Sequence, residues 1–488
     1  MSKVSVNGGN IGNMESWPLL KKERNWTSLG LIWVALSGGV AAWSYSIGGY
    51  VAYYLGAGMG TAAMIAGSLV GMFFVALAVV PPSMKYGIES IVTSIPQFGT
   101  RGSVFSIFLQ YASIMGWNCV LLILFGKALG EVMLSMQLID ASSQATVSVL
   151  GTVGAIAVSW LLLRNGASTV RSSSIIISIF VVIIGMLILF YLVGKAGLQG
   201  ISSAKPMAPS DNLMWNYSVG FEIVLCTVLS WWPYVGSIVR MVPSGKQTIW
   251  PTMIGMGLPT GVISLIGLYS ALVIGNPDPT KWLLEIGGVG FGVIALLFLA
   301  LANIGTAIVG GYATGIGLRR IGWFQKHTSW NQTTLLMFLP VACIGVFIPD
   351  LFMAKIPTFM AFLGVVFAPL LGIQITDYIV LRRHRLDVHS LFDKSGKSVY
   401  YFWGGFNLAA VGALIVGFMT YVSLLNPITY EVNGLFAYIT ASVPSILVSG
   451  LAYYIFTKLF VQPAKKGGYH EVSGHRTTQA HPVPQEVS

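Results

Sequence analysis

The residues able to do chemistry are few. The six histidines, His327, His384, His389, His470, His475 and His481, all stand in polar loops or the C-terminal tail. No apolar stretch therefore carries the paired imidazoles that would hold a haem. The three cysteines, Cys119, Cys226 and Cys343, lie inside apolar runs and are expected to be small buried residues without disulfide or metal roles. Paired aspartates and Ser/His sets, which a membrane-embedded enzyme would need, are missing from these runs, and there is no Walker A sequence. Glu222 stands in the outer half of the sixth apolar run and Lys127 at the outer end of the third. An isolated charge in hydrocarbon is costly, so each is expected to face protein or water. They read either as a Lys127–Glu222 or Lys127–Glu131 pair, or with Glu222 as a proton carrier or contact for a cationic substrate. The remaining groups are aromatic. Trp117 follows Gly116 deep in one run, and Ser230-Trp231-Trp232-Pro233 interrupts another. Aromatic faces in an apolar pocket can stack a flat ligand. A packing or lipid-facing tryptophan is the competing reading, although aromatic belts favour the interface over mid-depth.

Composition says what must hold these residues. Of 488 residues, 55% are hydrophobic and 9% charged, against roughly a quarter charged in soluble domains. The 57 glycines have no collagen period and sit among Leu, Ile, Val and Phe, as in transmembrane helices. A soluble enzyme, a secreted disulfide scaffold and a disordered chain are excluded, which leaves an all-α polytopic membrane protein. Residues 1–27 read as a polar cytoplasmic segment without a cleavable leader. Twelve runs long enough to cross follow, at 28–52, 61–82, 103–126, 146–164, 173–194, 217–240, 252–275, 288–317, 333–349, 356–381, 402–425 and 434–460. Residues 462–488 are polar and without periodicity and are expected to be a disordered cytoplasmic tail.

With the N-terminus inside, 22 of the 27 Lys and Arg fall on the cytoplasmic side; the other five are Lys127, Lys195, Lys205, Lys281 and Lys355. That split obeys the positive-inside rule and puts both termini in the cytoplasm. It also accounts for the net charge of +11 without a nucleic-acid partner. Two runs are interrupted in mid-membrane, the first at Ser37-Gly38-Gly39 and the sixth at Ser230-Trp231-Trp232-Pro233. Glycine adds backbone freedom, and Pro233 removes an N–H and clashes with the preceding turn. Freed backbone groups survive at membrane depth only inside protein or against a water-filled cavity. A packing glycine pair and an ordinary proline kink would explain either break alone. Breaks in runs one and six, the same position of two five-helix units, point to an inverted-repeat transporter with its site at the breaks. The units are then 28–194 and 217–381, with 402–460 as two extra helices.

Several segments resemble one family, the cytosine–purine–uracil–thiamine–allantoin permeases, or nucleobase–cation symporters of the first type. Pro369, Gly372, Asp377 and Tyr378, followed by Arg382, Arg383, His384 and Arg385, are similar to that family's Pro-x-x-Gly-x-x-x-x-Asp-Tyr run and its basic sequel. The stretch from Tyr400 to Asn407, with Gly404, resembles its entry to span eleven. Phe98-Gly99-Thr100-Arg101-Gly102-Ser103 resembles its loop into span three. The resemblance implies a LeuT-like core of ten helices in two inverted halves plus two more. It also implies import of a flat nitrogen heterocycle, such as cytosine, a purine, uracil, allantoin, a hydantoin or a thiamine precursor, coupled to sodium or a proton.

Carried onto this chain, the resemblance makes Trp117 the stacking tryptophan, with Leu121 where relatives often have Gln. Ser230, Trp231 and Pro233 are similar to the Ser-Trp-x-Pro pattern of some branches, making Trp231 the second platform. A gapless alignment to Val239 and Arg240 puts Thr227 and Val228 there instead. Gly39 and Gly311 complete the implied lining, and Ser237 stands where relatives carry Asp. A sodium site of this fold would draw on Ala35 and Gly38 at the first break and on Ala302, Gly305 and Thr306 in span eight. Gly305 replaces a hydroxyl residue, so one ligand is missing. The expected partners are the heterocycle and the bilayer of the plasma membrane. The chain is expected to be a monomer with no cofactor beyond the coupling ion. An amino-acid or amine carrier of the same fold is the alternative, and the run around Asp377 argues against it.

Overall fold

The computed structural model describes residues 17–39, 42–164, 167–243, 248–393 and 396–469. The first apolar run gives α1 (Ser28–Gly39) and α2 (Ala42–Val51). The interruption expected at Ser37-Gly38-Gly39 adjoins residues 40 and 41, which lie outside the described residues. There follow α3 (Ala57–Tyr86), the short α4 (Ser90–Phe98), α5 (Ser103–Ser135), α6 (Gln144–Leu163) and α7 (Ala167–Ser203). Next come α8 (Leu213–Leu229), α9 (Trp232–Val239), α10 (Ile249–Ile274), α11 (Pro279–Gly287) and α12 (Val293–Leu318). The last four are α13 (Trp330–Phe347), α14 (Ile356–Leu381), α15 (Leu408–Leu424) and α16 (Ser442–Val461). Among the described residues, nine helices are long and apolar enough to cross a bilayer, or ten when the bent pair α8–α9 counts as one. The chain is a multi-pass membrane protein.

The sixth run breaks where its sequence says it must. Pro233 has no N–H for the ladder, and α8 and α9 meet at a bend of 45°. The turn tightens there, with Trp231 N–H donating to the Val228 carbonyl at 3.0 Å. A serine from α4 compensates the bend: Ser90 Oγ donates to the Trp232 carbonyl at 2.6 Å and accepts from Gly236 N–H at 3.0 Å. Broken backbone at this depth is tolerated because it is enclosed in protein.

Two groups of helices flank the bend. In one, α3 lies along α8, and α10 packs on α2 and α3; in the other, α5 lies along α12, with α6 and α13 completing the layer. Small residues let backbones approach: a methyl added at Gly48 of α2 would lie 2.1 Å from the Ser264 carbonyl oxygen of α10. Helices α14, α15 and α16 pack on one another, and α14 also touches α8.

Three expectations need correction. Span eleven starts at Leu408 rather than 402, because Gly404 (φ 63°) and Gly405 (φ 96°) reverse the chain and Asn407 caps the helix, its Oδ1 accepting from Ala409 N–H at 3.2 Å. Span twelve starts at Ser442 rather than 434, after a separate short helix, Phe436–Ile439. The polar end is not loose from 462: Tyr469 is buried, and its hydroxyl donates to Asp377 at 2.5 Å. Residues 1–16 and 470–488 lie outside the described residues. Cys119 and Cys226 are buried as expected, whereas Cys343 is exposed on α13, where a small apolar residue suits a lipid-facing surface.

Candidate substrate site

The bend between α8 and α9 opens on a small cavity against α5. It measures about 10 Å³ and is lined by Trp117 and Leu121 from α5, by Thr227, Ser230, Trp231 and Tyr234 from the bent span, by Trp43 from α2 and by Thr306 from α12. Trp117 and Leu121 share a face because they are one helical turn apart. Trp231 and Tyr234 do so across the bend, with ring centroids 4.7 Å apart. Trp43 touches both expected platforms, with centroids 5.5 Å from Trp117 and 5.8 Å from Trp231. Phe359 of α14 closes on Trp117 edge-to-face at 5.6 Å.

The polar groups form one short chain. Trp117 Nε1 donates to Ser230 Oγ at 2.9 Å, Ser230 Oγ donates to the Thr227 carbonyl at 2.6 Å, and Thr227 Oγ1 donates to the Ile223 carbonyl at 2.8 Å. The indole of α5 is thereby fixed to the bend itself. Trp232, the neighbour of Trp231, turns the other way, and its Nε1 donates to Gln374 of α14 at 2.6 Å.

Trp117, Leu121, Thr227, Trp231 and Thr306 of the expected set thus come together. Val228 does not join them: it backs onto Gly71 of α3, where an added methyl would sit 3.0 Å from its Cβ. Gly311 faces Leu163, Met337 and Phe338. Gly39 backs onto Thr260 and Met256 of α10, and Gly38 abuts the six-membered ring of Trp231. Among the expected sodium ligands, Thr306 Oγ1 donates to the Ala302 carbonyl at 3.3 Å. Gly305 is buried in the same helix, and Ala35 packs against Gly255. Helices α1 and α12 are in contact. No group of three His, Cys, Asp or Glu side chains converges among the described residues, so a bound ion would have to use carbonyl and hydroxyl oxygens. Trp43, Ser230 and Tyr234 were not among the expected site residues. The available signal was their spacing, Trp43 about one turn beyond Gly39 and Tyr234 three residues beyond Trp231.

Lys127 and Glu222 do not pair with each other. Lys127 meets Asp350 at 2.8 Å, and Glu131 pairs with Lys281 and accepts from Gln144 Nε2 at 2.6 Å. Glu222 caps α16: it accepts from Ser442 N–H at 3.0 Å, Ser442 Oγ at 2.6 Å and Ala441 N–H at 3.4 Å, and from the Cys226 thiol at 3.3 Å. The expected Lys127–Glu222 and Lys127–Glu131 pairs are therefore both replaced.

At the end of α14, Asp377 is fully buried and accepts from Arg382 Nε and Gln97 Nε2, both at 2.7 Å, and from Tyr453 and Tyr469. Arg382 also donates to the Gly467 carbonyl at 2.7 Å and the Pro96 carbonyl at 3.0 Å. Burial is the largest influence and works against its charge, but Asp377 together with Tyr469, Tyr400 and Tyr453 outweighs it and holds the guanidinium pKa above its ordinary value. Burial pushes the Tyr469 phenol up as well. This cluster ties α4, α14, α16 and residues 467–469 together.

A family profile described as permease for cytosine/purines, uracil, thiamine, allantoin matches residues 18–443. The chain belongs to this family. Curated relatives of this permease include a hydantoin permease of Microbacterium maritypicum, 26% identical over 42% of the chain. That match spans 41% of the relative's own length. The purine-uracil permease of Arabidopsis thaliana is 22% identical over 88% of the chain and 75% of its own, and the allantoin permease of Bacillus subtilis 21% over 92% and 94%. Among solved structures, the nucleobase-cation-symport-1 family transporter Mhp1, closed with bromovinylhydantoin bound, superposes with a TM-score of 0.69. It is 19% identical, and the match covers 93% of this permease and 99% of that chain. At that identity the likeness shows the fold.

Proposed function

We propose that this permease is a secondary transporter that imports a nucleobase-like flat nitrogen heterocycle by cation-coupled symport with alternating access. The observation that carries the reading is the cavity at the bend of α8 and α9, where Trp117 and Trp231 present aromatic faces and the lining holds no charged side chain. A flat ring needs such faces and a few placed polar atoms. The relatives named above are permeases for hydantoin, purine and uracil, and allantoin, which supports the same chemistry here. The architecture goes with it as twelve spans in two inverted units of five plus two, in the plasma membrane, with both termini cytoplasmic and the chain monomeric.

The coupling cation is proposed to bind where α1 meets α12, with the carbonyls of Ala35, Gly38 and Ala302 and the hydroxyl of Thr306 as the sodium ligands. Gly305 supplies no hydroxyl there, and this specific shortage favours a proton as the second reading. Initial uptake of labelled uracil and hydantoin into proteoliposomes, under a sodium gradient alone and then a proton gradient alone, tests both. A sodium-driven signal lost in Thr306→Ala supports the sodium site. A proton-driven signal indifferent to sodium supports the second reading, and uptake under neither gradient contradicts the transport assignment.

A further inference from the structure

The bent span carries two tryptophans in succession, and only one of them reaches the cavity. Trp231 lines it, whereas Trp232 is wholly buried elsewhere, its ring 6.0 Å from that of Phe367 on α14. Trp231 keeps right-handed helical dihedrals (φ −76°, ψ −10°), and consecutive side chains on a helical stretch point about 100° apart. Whatever fixes Trp232 therefore also fixes the direction of Trp231. Both ends of Trp232 are held. Its Nε1 donates to Gln374 Oε1 of α14 at 2.6 Å, and its carbonyl accepts from Ser90 Oγ of α4 at 2.6 Å.

Gln374 closes these two contacts into a ring. An indole N–H can only donate, so the amide must turn its oxygen to Trp232 and its NH2 away. That NH2 reaches Thr93 Oγ1 at 3.5 Å, the Thr93 hydroxyl donates to the Ser90 carbonyl at 2.6 Å, and Ser90 Oγ returns to Trp232. Ser90, Thr93, Trp232 and Gln374 are all buried. A glutamine in an apolar spanning helix is costly unless its polar atoms are engaged, and its neighbours Leu370, Leu371, Ile373 and Ile375 show that packing alone would be met by an apolar side chain. Gln374 takes no part in the cavity lining. What it serves is the ring.

We propose that Gln374 is a positioning residue for the substrate site: by anchoring the Trp232 indole it sets the rotation of the bend, and with it the aromatic face that Trp231 presents to the heterocycle. This rests on the reading of the cavity as the substrate site and adds a residue outside the lining on which its affinity depends.

The test is equilibrium binding of labelled uracil and hydantoin to the purified full-length protein, with the thermal unfolding midpoint read in parallel. Gln374→Met keeps the bulk without the hydrogen bonds and should weaken both probes by roughly two- to tenfold, the scale of one hydrogen bond. Gln374→Glu should recover the affinity, because a carboxyl keeps an oxygen for the indole and, protonated, a donor for Thr93. Trp232→Phe should match Gln374→Met, and combining the two should cost nothing further, since both remove the same contact. Wild-type affinity in Gln374→Met, even with a lowered midpoint, would make Gln374 a structural tie and overturn the proposal. So would a Gln374→Glu protein as weak as Gln374→Met, or losses that add in the double variant. If Gln374→Met does not fold, Trp232→Phe carries the same test from the donor side. Trp117→Ala separates the two claims: unchanged affinity there means that the cavity is not the substrate site, whereas weakened binding there with wild-type binding in Gln374→Met leaves the site standing and removes the positioning residue.

Discussion

Two small cavities lie along the bent span, and their polar groups do opposite work. One, of about 20 Å³, borders Glu222 among Ile223, Met360, Tyr421, Tyr430 and Phe436; the other, of about 10 Å³, lies beside Trp43, Trp117 and Trp231. In the first, the carboxyl is already engaged by the N–H groups that open α16 and by a hydroxyl and a thiol. Such a helix start has unpaired N–H groups and a favourable dipole for an acid. In the second there is no charge, and hydroxyl oxygens are left with accepting capacity. The buried charge marks a joint between α8 and α16, and the neutral aromatic set marks the place for a ligand.

The largest effect should come from dismantling the joint. Glu222→Ala strands the N–H groups of Ala441 and Ser442, at a cost on the order of 3 kcal/mol. Thermal unfolding in detergent should show it as a lower midpoint, while the folded fraction keeps its heterocycle affinity; an unchanged midpoint would remove the cap from the account. Next is the platform from the bend. Losing the Trp231 face should cost about 1–3 kcal/mol of binding, so uptake should be measurable in Trp231→Phe and lost in Trp231→Ala. Wild-type uptake in both would instead favour the gapless alignment. A smaller effect is expected from Ser230→Ala, which frees the Trp117 indole from its acceptor. About 1 kcal/mol, or roughly fivefold in affinity, is the scale of one such hydrogen bond. Val228→Ala should be the least visible, because Val228 faces Gly71 of α3: binding isotherms should overlay wild type, and a shift would put Val228 back in the lining.

The sequence made the bend legible because Pro233 enforces it chemically, and Trp117 because a tryptophan at mid-depth has no interfacial role to explain it. Trp43 was missed because its neighbours Trp117 and Trp231 come from distant segments, and no local pattern says that three indoles will meet. Glu222 was misread for a related reason. Its partner Ser442 stands 220 residues away, whereas Lys127 at the outer end of the third run looked like the natural counter-ion. The start of α15 was placed early because Tyr401, Phe402 and Trp403 read as an apolar run, although Gly404 and Gly405 turn the chain back before the helix can begin. The end of the chain near Tyr469 looked loose because nothing around it is periodic; the buried Asp377 that holds it lies in another span.

The neutral aromatic cavity, and not the one beside the acid, is the place proposed to receive the substrate. A paired binding titration of labelled uracil and hydantoin on purified Trp117→Ala and Glu222→Gln tests it most directly. Trp117→Ala is expected to lose affinity by roughly 5- to 150-fold, while Glu222→Gln binds as wild type with a lowered unfolding midpoint. Wild-type affinity in Trp117→Ala together with lost binding in a folded Glu222→Gln protein would contradict it.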